Sequence, residues 1–189
     1  MAGAAVSELS EKATRSAYRE ETEEAWICLL TITHPDLSVP DDIIRVCNEG
    51  VAVDEEGNEY VDSNGERFYA FPFEFEMPKD VEGETATAKL RIDNAGKVKV
   101  PDGGGFVEVN ILHELRRIGS LAGGNPALVC QVVLADAPDD VEFELADLTL
   151  QHVGADAALI EGDLAWEDVL NQECPTVEYT PATAPGLWP

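Results

Sequence analysis

Apolar and polar positions alternate most regularly between Phe68 and Asn94. Phe71, Phe73 and Phe75 alternate with Pro72, Glu74 and Glu76; past an acidic turn, Ala86, Ala88, Leu90 and Ile92 alternate with Thr87, Lys89, Arg91 and Asp93. Successive side chains of a strand point to opposite faces, so this pattern predicts a half-buried antiparallel pair. Trp26 to Thr33 is apolar on both faces and stops at His34-Pro35, which predicts a central strand covered on both sides. Ile43 to Asn48 predicts a second strand, and Glu59 to Val61 a short one. The short strand lies between turns centred on Glu56-Gly57-Asn58 and on Asn64-Gly65, the latter a type I′ signal. Further on, Ala127 to Ala135 and Val141 to Val153 read as strands joined by the turn Ala137-Pro138-Asp139-Asp140. The break in pattern near Ala146-Asp147 suggests a bulge. Ala157 to Leu164 makes a last strand.

Helical spacing is rarer. Between Phe106 and Ile118, the residues Val107, Ile111, Leu112, Leu115 and Ile118 share one face, predicting a core-packed helix that ends at Gly119. Residues 7–24 read as a polar amphipathic helix with Ser7 as N-cap and a thin stripe of Leu9, Ala13 and Ala17. So polar a helix lies along the surface or docks onto another subunit. Ala95 to Gly105 is glycine-rich, a flexible loop or an inserted hairpin in which Lys97 and Lys99 alternate with two valines. Trp166 to Leu170 reads as a helical turn, and the last residues form a proline-studded extended tail with an apolar end at Leu187-Trp188. The organisation expected is a helical arm at 1–25, one β-rich domain at 26–173 and a tail at 174–189. Many strands with one packed helix among them mean a mainly β (β+α) fold, an antiparallel sandwich or barrel rather than alternating βαβ units.

Composition changes the picture through charge alone. The chain of 189 residues is long enough to bury a real core, and its 44% hydrophobic and 26% charged residues are ordinary. However, 38 acidic side chains face 12 basic ones, a net charge of −26. Such a chain repels nucleic acid and an anionic membrane surface, because binding phosphate needs clustered Lys and Arg. The surplus serves solubility or salt adaptation, or it meets a basic protein partner. No targeting signal is expected: MAGAAV lacks a basic region and meets Ser7-Glu8 early. The apolar run Ala25 to Leu30 is too short to cross a bilayer, so membrane insertion is not expected.

Candidate chemistry is sparse. Cys28, Cys47, Cys130 and Cys174 are scattered without a CxxC pair, which predicts reduced thiols, with Cys28 and Cys130 buried in apolar strands. Convergence of all four on a metal or cluster stays open as a minor alternative. His34, His113 and His152 form no HxH or HExxH pattern, and no GxSxG or phosphate-binding Gly-Lys-Ser/Thr follows any glycine run. The acidic stretches Asp54 to Glu59 and Asp62 to Glu66 lack calcium-loop spacing and read as polar turns. No catalytic residue and no cofactor is expected. A carbohydrate- or receptor-binding β module is the rival to a structural role, and it requires Phe71, Phe73 and Phe75 to face solvent.

Several runs, taken in order, resemble a known family: EETEEAWICLLTITHPDL, IRVCN, SNGERFYAFPFEFEMP, TATAKLRIDN and VEFELADLTLQHVGADAALIEGDLAWEDVLNQECP, closed by Tyr179-Thr180-Pro181 and Pro185-Gly186-Leu187. Their order and spacing are similar to minor tail proteins of long-tailed bacteriophages, a family catalogued as a domain of unknown function. The resemblance spans residues 18–187, with Ala95 to Gly105 as an apparent insertion. It implies a structural protein of the virion tail tip with a tail-tube type fold, assembled as a homo-oligomeric ring beside the tail tube, tape measure and hub. It brings no catalytic residues. In such a ring, Leu9, Ala13 and Ala17 of the helix and Leu187-Trp188 of the tail are expected to reach adjacent subunits.

Overall fold

The computed structural model describes residues 9–18, 24–77, 88–93, 96–102, 105–119, 125–155 and 159–166. In chain order these form α1 (Glu11–Ala17), β1 (Trp26–Thr33), β2 (Ile43–Cys47), β3 (Ala52–Val53), β4 (Glu59–Ser63), β5 (Glu66–Ala70), β6 (Phe73–Glu76) and β7 (Ala88–Asp93). There follow β8 (Val98–Asp102), β9 (Gly105–Val109), α2 (Ile111–Gly119), β10 (Ala127–Leu134), β11 (Ala137–Ala155) and β12 (Leu159–Trp166). The fold is mainly β, as the alternation predicts.

Ten strands make one sheet in the order β3-β4-β5-β2-β1-β10-β11-β12-β7-β6, and β8 and β9 form a separate hairpin. β1 is central, pairing with β2 on one side and β10 on the other, and both its faces are apolar because Leu30 and Ile32 enter one core while Ile27 and Leu29 enter another. The order conceals a closure. β5 is third and β6 last, yet only Phe71 and Pro72 separate them. The Phe71 amide donates to Cys47 O of β2, and Pro72 O accepts from the Asp93 amide of β7. The sheet therefore curls until its two halves meet along one bent strand, which gives a barrel-like wall. That wall contains a parallel pair, β2 with β5, so the expected all-antiparallel barrel is corrected to a mixed one. The cause is the β4–β5 hairpin, whose tight turn at Asn64 (φ 51°) and Gly65 (φ 81°) reverses β5 to run alongside β2.

The curled sheet encloses the main core. Leu30, Ile32, Val46, Phe71, Leu90, Ile92, Leu128, Leu148, Leu150, Ile160 and Leu164 are buried there together. α2 and the β8–β9 hairpin add Ile111, Leu115, Ile118, Val98 and Val100 to the same core. Residues 95–105 are thus no loose loop where they are described, since the alternating valines enter the core. A second core lies on the other sheet face, where Ile27, Leu29, Cys47, Val61, Phe68 and Val133 pack together.

Several boundaries differ from expectation. The helix expected from Phe106 starts at Ile111 because β9 claims residues through Val109, and Asn110 Oδ1 accepts the His113 amide at 2.9 Å as its cap. The turn after β10 is Ala135-Asp136, not Ala137 to Asp140, which pair within β11. Trp166 belongs to β12, and residues 167–170 of the expected helical turn lie outside the described residues. The expected bulge is present: Leu128 pairs with Leu148 but Cys130 with Leu145, so Ala146 and Asp147 (φ 56°) oppose one residue. α1 is shorter than residues 7–24, with Ser10 as its N-cap; Ser7 lies outside the described residues.

Candidate functional site

The helix expected to reach a neighbour is held by its own chain. Ser10 Oγ accepts the Ala13 amide, and Glu142 of β11 takes both the Ser10 amide (2.8 Å) and hydroxyl (2.6 Å). Lys12 bridges to Asp136, and the Trp26 indole donates to Ser16 Oγ at 3.1 Å. Ala13 is fully buried by these contacts, which corrects its expected place at a subunit interface. Leu9 and Ala17 are exposed and remain available to a partner. Leu187 and Trp188, like Cys174, lie outside the described residues.

The cysteines divide between the two sheet faces. Cys28 of β1 and Cys130 of β10 share the barrel side, with their Sγ atoms 3.2 Å apart. Cys47 sits in the opposite core, its thiol on Phe68 O, and burial pushes it up to about 12. The sheet separates Cys47 from the other two, so the minor alternative, convergence on one ion, fails for these three. Among the described residues, no group of three His, Cys, Asp or Glu side chains is placed to hold a metal. Of the acidic turns, Asp54 spends its carboxylate on its own loop, accepting the Glu56 and Asn58 amides and Asn58 Nδ2. The Asn64 turn is tied to β11, where Asp139 Oδ1 accepts the Asn64 amide and Pro138 O accepts Ser63 Oγ. His34 is buried, with Nδ1 accepting the Asp36 amide at 3.1 Å, whereas His113 is exposed on α2.

The Phe-rich strand is not a solvent-facing platform. Phe71 is buried, and Phe73 and Phe75 are half-buried against the main core, opposite Ile92 and Leu90. This corrects the condition on which the binding-module alternative rested. Aromatic surface appears instead beside the short edge strand β3. There a shallow cavity of about 400 Å³ is lined by Val53, Tyr60, Phe106, Arg67 and the acidic turn. The Arg67 guanidinium lies 3.9 Å over the Tyr60 ring while Asp62 accepts two hydrogen bonds from it. Behind them Tyr69 meets the Phe106 ring edge-on at 5.4 Å, and burial pushes its phenol up against the opposing pull of Arg67. Lys99 of β8 pairs with Glu56 and so bridges the hairpin to the turn. Val51 (48% exposed), Val53 (61%) and Phe106 (42%) expose apolar surface at this corner, beside the acidic turn and Arg67. No alternation or motif marks the patch, because its members come from β3, β4, β5 and β9. Only their strand register assembles them.

The fold and this surface define a mainly β protein built on one curled sheet in which, among the described residues, the short strand β3 pairs on one side only. The chain belongs to the family described as "Domain of unknown function (DUF1833)", whose model matches residues 13–179. No curated protein matches it.

Proposed function

We propose that this chain is a structural subunit of a bacteriophage tail tip, forming or joining a ring that connects the tail tube to the hub and receptor-binding apparatus. The resemblance of residues 18–187 to phage minor tail proteins supports this reading, as does the mainly β fold. The observation that carries it is the apolar corner at the β3 edge. Val51, Val53 and Phe106 are exposed beside a two-residue strand that pairs on one side only among the described residues. Exposed apolar groups at a sheet edge favour contact with another protein surface. A ring needs such a patch to meet a different patch on the next copy, and the exposed Leu9 and Ala17 of α1 offer one. The net charge of −26 suits a wall past which DNA moves without sticking. In this role the protein works by adhesion within the virion and performs no chemistry.

Mass measurement and negative-stain imaging of the purified chain test the proposal. Closed rings are expected, and Val53→Glu, an exposed change that leaves the core intact, should shift the population at least tenfold toward monomer. A wild-type chain that stays monomeric at high concentration, alone and with tail-tube protein, removes the reading.

A further inference from the structure

In antiparallel pairing, Cys28 lies opposite Val132 and Cys130 opposite Leu30, so the two thiols are diagonal neighbours on one sheet face. Their sulfurs are 3.2 Å apart although 102 residues separate them along the chain. We propose that Cys28 and Cys130 are an oxidisable dithiol that closes to a disulfide between the central strands of the barrel. A disulfide bond is about 2.05 Å long, so the sulfurs need approach by only about 1.2 Å.

The two thiols are unlike, and the difference assigns their roles. Cys28 is half-buried and open to a small oxidant, whereas Cys130 is fully enclosed. The hydrogen bond from Cys130 holds the Cys28 thiol below its ordinary value, and the same contact together with burial pushes Cys130 up. Cys28 is therefore the attacking thiolate. With a peroxide as oxidant, its sulfur attacks one peroxide oxygen, the O–O bond breaks, and hydroxide leaves to take a proton as water. The Cys130 sulfur then attacks the resulting sulfenic acid at Cys28; the S–S bond forms and a second water departs with the Cys130 proton. Two thiols lose two electrons in all, and one peroxide gains them. Cys47 is excluded because it lies in the other core, and its own burial keeps it protonated.

The test treats the reduced full-length protein with hydrogen peroxide, then unfolds, alkylates and maps it by mass spectrometry. Two of the four thiols should disappear, one cross-linked peptide pair should join Cys28 to Cys130, and a reducing agent should restore both. Cys47→Ala should leave this result unchanged, and Cys28→Ala should abolish the cross-link. Four thiols still free after treatment overturn the proposal. So does over-oxidation of Cys28 alone, a bond involving Cys47 or Cys174, or a cross-link between two chains.

Discussion

Glu114 shows how one buried charge can fix a loop to a helix. Its Oε2 accepts the Ser38 amide at 3.0 Å and the Arg117 guanidinium at 2.8 Å, while Arg117 also reaches Asp36 O. Burial alone would raise this carboxyl, but the Ser38 amide and then the Arg117 charge outweigh it and hold it below the ordinary carboxylate range. A carboxyl depressed in the folded state binds its proton more readily when unfolded. Its contribution is therefore present above the unfolded value, near 4.3, and is lost as pH falls through the folded one. Glu114→Gln should cost about 1–3 kcal/mol in urea unfolding at pH 7, and the gap to wild type should narrow at pH 3. An equal gap at both pH values would show that the charge has no part in it.

At the scale of elements, α1 is short and depends on tertiary contacts, since seven residues cannot sustain a helix alone. Ser10→Ala removes the cap and one of the two bonds to Glu142, and should cost about 1–2 kcal/mol. Amide exchange across Glu11 to Ala17 should accelerate, with β1 and β10 unchanged; uniform acceleration would mean that α1 opens only with the whole fold. The sequence announces such elements unevenly. β6 and β7 are legible because one face of each meets the main core, so burial imposes a period of two; β1 is legible as an apolar run because each of its faces meets a core, and the Ala146-Asp147 bulge because it interrupts the pattern. The start of α2 is obscured because Val107 and Val109 suit the end of a strand as well as the first turn of a helix. The parallel β2–β5 contact leaves no local trace, for it arises from where a hairpin lands. The same holds for the Tyr60, Arg67 and Phe106 corner and for the meeting of Cys28 with Cys130. Each depends on strand register between distant segments, which no window of sequence contains.

For the molecule as a whole, the acidic excess and the curled sheet set the behaviour. A net charge of −26 repels itself when compact, and added salt screens that repulsion over about 10 Å at 0.1 M and less above it. The melting temperature should therefore rise by several degrees between 10 mM and 500 mM sodium chloride, measured by calorimetry; a fall would mean that pairs such as Arg91 with Glu161 and Glu76 outweigh the general repulsion. The central pairing of the sheet has a consequence for synthesis. β1 finds its neighbour β10 only after Ala127 to Leu134 exist, so a chain emerging from the ribosome carries Ile27, Leu29, Leu30 and Ile32 bare for most of its translation. Products cut short before β10 are left with a naked apolar ribbon and should clump. Whatever cell makes the protein must shelter the nascent chain until its second half has arrived.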